Sequence, residues 1–321
     1  MSPRALVVGG TSGIGYAMAC RVAASSPSSS VVISGRTQPD NMPHANMEFR
    51  PIEATSMREI KSFTDRFKQQ QQQQSALGAT QQNHHVPTEE KNKLDLLIMT
   101  QGIMTMAGRT ETPEGIDRKM ALHYYGKQLL IRELMPALKE DAKVVIVYDS
   151  WTGNMDKLNW DDLDLKTHFS LGTAANHCQV MNDVMIQYYA AQQQKQQQQQ
   201  RHHQQGTGTA AAAARRHFVH AWPGGVNTEG LMREMPWVLG ATAKLLAPLI
   251  TVTPAKCAEY LLDGVNKVAA APVAGDGGGR RFWSCIDNKG RVLENKPVCT
   301  EEQMGKIADH TWKLIDAALK A

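Results

Sequence analysis

Short apolar runs alternate with longer amphipathic segments along the chain. The runs are rich in β-branched residues and carry few charges, which is typical of strands buried on both faces of a parallel sheet. The segments between them place apolar residues on one face, as helices packed on a sheet do. The pattern predicts strands at residues 5–8, 31–34, 94–100, 143–148 and 218–221, and helices at 14–24, 57–69, 115–138, 169–191, 254–268 and 301–319. This alternation predicts an α/β fold with a doubly wound parallel sheet.

Two low-complexity tracts, residues 69–90 and 192–216, interrupt the alternation. Both are rich in Gln and His and contain few residues that pack in a core. We expect both to be poorly ordered surface insertions in a single domain that spans residues 1–321. Each tract follows a helix and precedes a strand, so both are expected at the amino-terminal edge of the sheet, whereas ligands bind at the opposite edge.

Composition excludes several classes of function. The net charge of +4 is spread over 321 residues without a basic stripe, so nucleic acid is not an expected partner. The five cysteines include no CxxC pair, which predicts neither a disulfide framework nor a metal site. We therefore expect a protein of a reducing compartment that binds no metal.

Hydrophobic segments of the length of a membrane span are not expected. The first predicted strand starts at Ala5 and leaves no room for a signal peptide. The most apolar stretch, residues 237–252, is interrupted by Lys244 and Pro248 and is shorter than the ~20 apolar residues of a spanning helix. We predict a lid or core helix there, and a cytoplasmic protein without firm membrane association.

A glycine-rich segment joins the first predicted strand to the first predicted helix. It reads Val-Gly-Gly-Thr-Ser-Gly-Ile-Gly over residues 8–15. Gly9 permits the tight turn, Gly13 lets backbone amides approach a pyrophosphate, and Gly15 lets the helix pack closely on the strand. The segment predicts a Rossmann fold that binds a dinucleotide. The predicted cofactor contacts in it are Gly9, Thr11, Ser12, Gly13, Ile14 and Gly15.

The end of the second strand indicates which dinucleotide is preferred. A site for NAD places an acidic side chain there to bind the ribose 2′-hydroxyl, but this chain has Ser34, Gly35 and Arg36. The guanidinium of Arg36 can bind a 2′-phosphate through two hydrogen bonds, with Ser34 as a further donor. We therefore predict NADP(H) as the cofactor.

The glycine spacing, the strand order and the later segment Trp-Pro-Gly-Gly-Val-Asn-Thr at 222–228 resemble the short-chain dehydrogenase/reductase superfamily. Shorter pieces at 95–98, 115–117 and 137–139 and the late Trp312 resemble its retinol-dehydrogenase-like branch. The resemblance implies a homo-oligomer formed through the helices at 115–138 and 169–191. It also implies cofactor contacts at Glu53, Ala54, Gly102, Pro223, Gly224, Val226 and Thr228.

In the superfamily a serine orients the carbonyl, a tyrosine transfers the proton, and a lysine four residues later lowers the pKa of the tyrosine. Ser150 matches the serine, with Gly153 three residues on. No tyrosine of this chain has a lysine four residues later; alignment of the following helix places Phe169 and Thr173 at the two positions. His123 stands where an asparagine is expected. Phenylalanine cannot donate a proton, so the usual proton transfer cannot operate here.

Other groups near the expected site can handle protons. Histidines 123, 168 and 177 and Tyr148 are the candidates, and we favour His123 because an imidazole is a workable general acid. Three hypotheses stay open: an NADP(H)-dependent oxidoreductase of an apolar carbonyl or alcohol, a non-redox enzyme such as an isomerase, dehydratase or cyclase, and a non-catalytic NADP(H)-binding protein. An apolar substrate pocket is suggested by Met104, Met106, Trp151, Met155, Met232, Met235 and Trp237.

Overall fold

Seven parallel strands form one sheet in the order β3-β2-β1-β4-β5-β6-β7. The computed structural model describes residues 2–79, 92–203, 215–228, 251–271 and 281–321. Helices cover both faces, so the predicted doubly wound α/β fold is confirmed. The strands are β1 Arg4–Val8, β2 Ser30–Gly35, β3 Met47–Pro51, β4 Leu94–Met99, β5 Leu138–Val147, β6 His217–Ala221 and β7 Trp283–Ile286.

Six helices flank the sheet among the described residues. They are α1 Gly13–Ala24, α2 Met57–Ala79, α3 (Arg118–Met120, a π-helical turn Ala121–Tyr125, and Gly126–Leu134), α4 Leu171–His203, α5 Pro254–Ala270 and α6 Glu301–Lys320. Helices α1 and α5 pack together on one face, and α2, α3 and α4 pack on the other. The apolar side chains between each layer and the sheet form the two halves of the core.

The two edge strands, β3 and β7, do not follow the pattern that predicts the other five. β3 carries the charged residues Glu48 and Arg50 and ends in Pro51, and only Met47 is fully buried. Proline and charged side chains are tolerated at the edge of a sheet, where one row of backbone groups has no partner. β7 has four buried residues, too few to show a period.

The Gln-rich tracts are helical further than predicted. Helix α2 continues to Ala79 and α4 continues to His203. The Gln193 side chain is buried and its Oε1 accepts a hydrogen bond from the Arg216 backbone N–H at 3.1 Å. Residues 70–79 and 192–203 are thus helical, since glutamine has a high helix propensity and both helices are already nucleated upstream, and the poor order of the tracts stays a prediction. The rest of the tracts, 80–91 and 204–214, lies outside the described residues.

The C-terminal helix α6 packs against α3 and α4. The Tyr124 hydroxyl is hydrogen-bonded to Thr311 Oγ1 at 2.6 Å, and the Arg132 guanidinium donates to Asp316 Oδ1 at 2.8 Å. The fully buried Tyr124 lies under this helix. Helix α6 therefore covers part of the two helices through which a homo-oligomer is predicted, and the oligomer itself stays a prediction.

Two expectations fall partly or wholly on residues that the structure does not describe. The lid or core helix at 237–252 lies outside the described residues except for 251 and 252. The pocket residues Met232, Met235 and Trp237 lie wholly outside them. Among the helices that are described, none combines the length and the apolar character that crossing a membrane requires.

Candidate cofactor and active site

The carboxyl ends of β1 and β4 mark the point where the strand order reverses. From β1 the chain proceeds to β2 and β3 on one side, whereas β4 leads to β5 on the other side. Loops that leave neighbouring strands in opposite directions open a crevice, and open α/β sheets bind ligands there. The turn 9–12 after β1 and the segment 100–102 after β4 lie side by side at this point, and the Thr100 hydroxyl donates to the Gly9 carbonyl at 3.0 Å.

The turn after β1 needs glycine for reasons of space and conformation. Gly9 has φ +81°, and a Cβ added to it would lie 2.5 Å from the Gln101 backbone nitrogen. Gly13 has φ +52°, a conformation that residues with a side chain seldom adopt. Thr11 packs against the backbone of Gly35 at the end of β2. The turn is therefore held close to the sheet and leaves the start of α1 open.

The amino terminus of α1 is suited to bind an anion. Ser12 is the N-cap residue, is exposed, and makes no capping hydrogen bond with its side chain. The first turn contains no acidic residue. The free backbone N–H groups and the positive end of the helix dipole therefore have no internal partner there, and a pyrophosphate is the ligand that such a terminus binds in Rossmann folds.

Buried polar atoms without partners lie at the carboxyl ends of β2 and β4. Ser34 is fully buried, and its Oγ has no hydrogen-bond partner. Gln101 is 7% exposed, and neither its Oε1 nor its Nε2 has a partner. Leaving such groups unpaired costs about 1–3 kcal/mol each. A dinucleotide in the crevice offers hydroxyl and phosphate groups that would satisfy them, so the residues present fit the predicted cofactor.

Arg36 and Glu53 lie beside the crevice on the outer side of β2. Arg36 is exposed and takes part in none of the ion pairs of the described residues. The carboxylate of Glu53 accepts hydrogen bonds from the backbone N–H and the hydroxyl of Thr55 at 3.0 and 2.7 Å. Ala54 is buried next to it. Arg36 is thus free to bind a phosphate, whereas Glu53 is engaged within its own turn.

The segment after β6 folds back over the glycine turn. A Cβ added to Gly13 would lie 3.2 Å from Thr228 Cγ2. Val226 is buried and forms a parallel bridge with Val252. Gly224 has φ +68° and lies against Asn288. The structure therefore brings the 223–228 segment and the glycine turn together on the same side of the sheet, as the predicted contacts require.

His123 lies in the π-helical turn of α3, beside Gly102. Its Nε2 accepts a hydrogen bond from the Ile103 backbone N–H at 2.9 Å. Burial, together with the nearby charge of Lys127, lowers the pKa of His123 to about 3. The imidazole is therefore neutral near pH 7, with its proton on Nδ1. It acts as a support for the 102–103 backbone, and it is a poor general acid.

Ser150 follows β5 at the expected place but points into the protein. It is fully buried, and its Oγ donates to the Ile286 backbone carbonyl at 2.9 Å. The neighbouring Asp149 carboxylate holds the backbone of the next turn through the N–H groups of Trp151 and Thr152. Ser150 thus joins β5 to β7 and offers no free hydroxyl to a substrate in this conformation.

Two further histidines have structural partners. His177 is fully buried on α4, accepts from the Asn159 N–H at 3.0 Å and lies 3.2 Å from the Leu163 carbonyl. The His168 side chain is 68% exposed and pairs with Asp162. His177 therefore holds a loop in place, and His168 faces solvent, so neither is positioned for catalysis.

Tyr148 and Lys127 lie side by side at the carboxyl edge of the sheet. Lys127 is fully buried on α3, and its ammonium donates to the Met99 and Val147 carbonyls at 3.3 and 3.0 Å. The ammonium is 5.7 Å from the centre of the Tyr148 ring. Burial lowers the pKa of Lys127 to about 7. The sequence gives one signal for this lysine, a charge in an otherwise apolar helix face one turn after His123.

A buried carboxylate lies behind Tyr148. Asp183 on α4 accepts hydrogen bonds from His220 Nδ1 at 2.6 Å, Cys285 Sγ at 3.2 Å and Lys296 Nζ at 2.8 Å. His220 is fully buried, and its ring stacks on that of Tyr148 with 6.4 Å between centres. Its Nε2 has no partner. The four groups come from different elements, so no spacing in the sequence predicts them.

Apolar side chains surround the opening of the site. Met104 and Met106, in the loop after β4, are 57% and 79% exposed, and Trp151, in the loop after β5, is 49% exposed. The ring of Trp151 lies 5.0 Å from that of Trp222, which follows β6. Large exposed apolar side chains at a ligand-binding edge are typical of a site for an apolar molecule.

Comparison with solved structures decides which known fold this is. A short-chain dehydrogenase family protein from Francisella tularensis superimposes with a TM-score of 0.54 over 90% of this chain and 98% of its own, at 17% identity. A short-chain dehydrogenase/reductase from Burkholderia multivorans with bound NADP gives 0.50 over 91% and 99%, at 16% identity. This chain has the short-chain dehydrogenase/reductase fold. No family model matches it.

This chain matches only part of the length of each curated relative. An oxidoreductase, AN1596, of Emericella nidulans is 30% identical over 198 residues, which are 58% of this chain and 53% of that protein. The human polyprenol dehydrogenase is 28% identical over 181 residues, 52% of this chain and 48% of that protein. The chain thus spans about half the length of these relatives, and the likeness to the short-chain fold is accompanied by similarity to oxidoreductases.

Phe169 and Thr173, the residues that the sequence alignment places at the tyrosine and lysine positions, lie at the start of α4. Helix α4 begins at Leu171; Thr173 and Ser170 cap it reciprocally, and Phe169 lies before it. Gln179 is the α4 residue that meets the Ser150 loop, because its Nε2 donates to Asp149 Oδ2 at 3.0 Å and its Cβ packs on Gly153. Gln179 therefore joins α4 to the loop that carries Ser150, and the alignment of Phe169 and Thr173 with the tyrosine and the lysine stays a prediction.

Proposed function

We propose that the chain is an NADP(H)-dependent oxidoreductase that interconverts an apolar alcohol and its carbonyl compound. The observation that carries the proposal is the pair of buried polar groups without partners near the point where the strand order reverses, the Ser34 hydroxyl at the end of β2 and the Gln101 amide after β4. Together with the open amino terminus of α1, these groups match the polar groups of a dinucleotide.

The preference for NADP(H) rests on Arg36. Its side chain is exposed at the end of β2, and no acidic residue stands at the neighbouring positions 34–37. The guanidinium is suited to bind the 2′-phosphate through two charge-assisted hydrogen bonds. The Burkholderia multivorans neighbour was solved with bound NADP, which supports the same choice.

An apolar substrate is proposed from the rim of the site. Met104, Met106, Trp151 and Trp222 present large apolar surfaces at the carboxyl edge of the sheet. The human polyprenol dehydrogenase, whose name specifies a long apolar alcohol, is similar to part of this chain. The placement in a retinol-dehydrogenase-like branch remains a proposal of the same kind.

The reduced nicotinamide, when bound, supplies a hydride to a carbonyl carbon. The chain's own residues would have three tasks beside it: the glycine turn and α1 would hold the pyrophosphate, the 100–102 backbone would contact the cofactor, and the apolar rim would bind the substrate. A buried, water-poor site strengthens the electrostatic interactions that stabilise the developing oxyanion.

A non-catalytic NADP(H)-binding protein is the second candidate. The observation in its favour is that Ser150 and His123, the expected catalytic groups, are both engaged within the protein. Phe169 and Thr173, which the sequence alignment places at the tyrosine and lysine positions, can neither donate a proton from a phenol nor supply a cation.

Turnover distinguishes the candidates. Purified protein is mixed with NADPH and a panel of long-chain aliphatic and isoprenoid aldehydes and ketones, and absorbance at 340 nm is followed. The oxidoreductase predicts NADPH consumption that saturates with carbonyl concentration and declines for short polar aldehydes. Tight NADPH binding without consumption for any carbonyl, and without NADP⁺ reduction by the matching alcohols, would favour the non-catalytic protein.

A further inference from the structure

We propose that Tyr148 is the proton donor of this site and that Lys127 is the buried cation that stabilises its phenolate. The proposal rests on the proposed oxidoreductase function and adds the missing proton-transfer group. The usual tyrosine and lysine lie one turn apart on one helix. Here, the tyrosine comes from the end of β5 and the lysine from α3.

Tyr148 is the hydroxyl that the fold leaves available. Its ring lies 4.7 Å from that of His123, which itself contacts Gly102 in the predicted cofactor segment. It is half-buried, and within the described residues its hydroxyl has no hydrogen-bond partner. Ser150, two residues later, donates to Ile286 instead of facing the crevice. The end of β5 therefore offers a phenol where the family offers a serine.

Lys127 places an amino group at the same place. Because its pKa is lowered to about 7, it is only partly charged near neutral pH, whereas a phenolate at Tyr148 would favour its charged form. A fully buried ammonium is costly unless it is solvated or compensated, and here the two carbonyls at the ends of β4 and β5 solvate it. Its position 5.7 Å from the Tyr148 ring centre lets the positive charge attract the phenolate more strongly than the neutral phenol. A structural role alone does not explain a lysine there, since a neutral side chain would avoid the cost of burying a charge.

The step balances in atoms and electrons. When a carbonyl compound is reduced, the carbon gains the hydride from the nicotinamide, and the O–H bond of Tyr148 breaks as a new O–H bond forms on the substrate oxygen. The electron pair of the broken bond stays on the Tyr148 oxygen as phenolate, which Lys127 stabilises. A proton from water then restores the phenol.

Other titratable groups also surround Tyr148, and the test must separate them from Lys127. The stacked imidazoles of His123 and His220 flank the ring, and Cys178 and Asp149 raise its pKa in addition to the effect of burial. His123 is neutral near pH 7 and His220 is paired with Asp183, whereas the Lys127 ammonium lies over the face of the Tyr148 ring. A substitution that removes only the charge of Lys127 therefore tests whether that charge stabilises the phenolate of Tyr148.

The first arm measures ionisation in the cofactor-free protein. Tyr148 is replaced by a fluorinated tyrosine, whose phenol ionises near neutral pH, and its phenolate absorbance is titrated. Lys127→Gln, which retains hydrogen-bond donors without the charge, is expected to raise the pKa of this side chain by about one to two units. Lys127→Met serves as a second neutral variant, in case one of the two does not fold. Lys143→Met, on the same β5 strand, is the control and is expected to leave the pKa unchanged.

The second arm measures turnover of the carbonyl found in the panel above. Tyr148→Phe is expected to lower kcat by about 10²- to 10⁴-fold while NADPH affinity is retained. An unchanged kcat would overturn the proposal, as would an equal pKa in the Lys127 and Lys143 variants. If the natural chain reduces no carbonyl, the proposed function fails, and the ionisation arm still judges the Tyr148–Lys127 pair on its own.

Discussion

The buried carboxylate of Asp183 allows a quantitative prediction about stability. Its two oxygens accept hydrogen bonds from His220, Cys285 and Lys296, and the Lys296 ammonium is only 2.8 Å away. The exposed fractions of the Asp183, His220 and Lys296 side chains are 12%, 0% and 11%. The perturbation is Asp183→Asn, which keeps the shape of the side chain, removes its charge and turns an amide donor toward groups that already donate.

The size of the effect follows from these contacts. Hydrogen bonds to a charged group each contribute about 1.5–3 kcal/mol, so three of them set an upper limit of about 9 kcal/mol. The loss is smaller, because the partly exposed Lys296 can recover some hydration from water. Removing one partner of a buried ion pair costs about 3–5 kcal/mol, and we expect Asp183→Asn to lower the free energy of unfolding by this amount.

Urea unfolding at pH 7, followed by circular dichroism, measures this loss. Asp141→Asn is the matched control, because Asp141 is exposed and should change the free energy of unfolding by less than about 0.5 kcal/mol. A double-mutant cycle with Lys296→Met should show that the two losses are not additive. A loss at Asp183 no larger than at Asp141, or strictly additive losses with Lys296, would refute the reasoning.

Three further predictions concern acid stability, the glycine turn and the C-terminal helix. Burial alone would raise the pKa of Asp183, but the charges and hydrogen bonds of His220 and Lys296 hold it below its ordinary value, so the stabilisation is complete above about pH 4 and is lost as the pH falls through the folded-state pKa. Urea unfolding from pH 7 to pH 3 should therefore show a steeper decline for the natural chain than for Asp183→Asn, and parallel curves would contradict this. Gly9→Ala forces a side chain onto a residue with φ +81° and should cost about 1–3 kcal/mol and weaken NADPH binding about tenfold by calorimetry, whereas Gly108→Ala, with open space around it, should do neither. Deleting α6 exposes the tyrosines under it, so light scattering should detect association of the shortened chain, and an unchanged particle size would argue against a covering role.

The fold was predictable wherever the sequence carries a period or a motif. The inner strands β1, β2 and β4 are mostly buried and apolar, and β5 and β6 contain the apolar runs at 144–147 and 218–219. The edge strands lack that signal because β3 alternates charges with apolar residues and β7 has only four residues. The Gln-rich ends of α2 and α4 have no apolar face that marks them as packed helices, although their residues favour the helix.

The cofactor crevice was more predictable than the reactive groups. The local glycine motif, with Gly9 and Gly13, predicts the turn after β1. The end of the neighbouring strand β2 predicts the position of Arg36. Helix α4 begins at Leu171, two residues later than the apolar pattern suggests, because Ser170 and Thr173 cap it. The alignment of Phe169 and Thr173 with the tyrosine and the lysine stays a prediction. The Lys127 and Tyr148 contact joins a helix to a strand end, and such a contact is set by packing rather than by spacing.

The central claim is that the crevice between β1 and β4 holds NADP(H), with Arg36 on its 2′-phosphate. Titration of the purified chain with NADPH and with NADH, followed by calorimetry, tests it most directly, with Arg36→Met as the comparison. The predicted result is saturable binding of NADPH, stronger than that of NADH by about 10- to 100-fold in the natural chain and nearly equal in Arg36→Met. Absence of saturable binding for both dinucleotides would contradict the account.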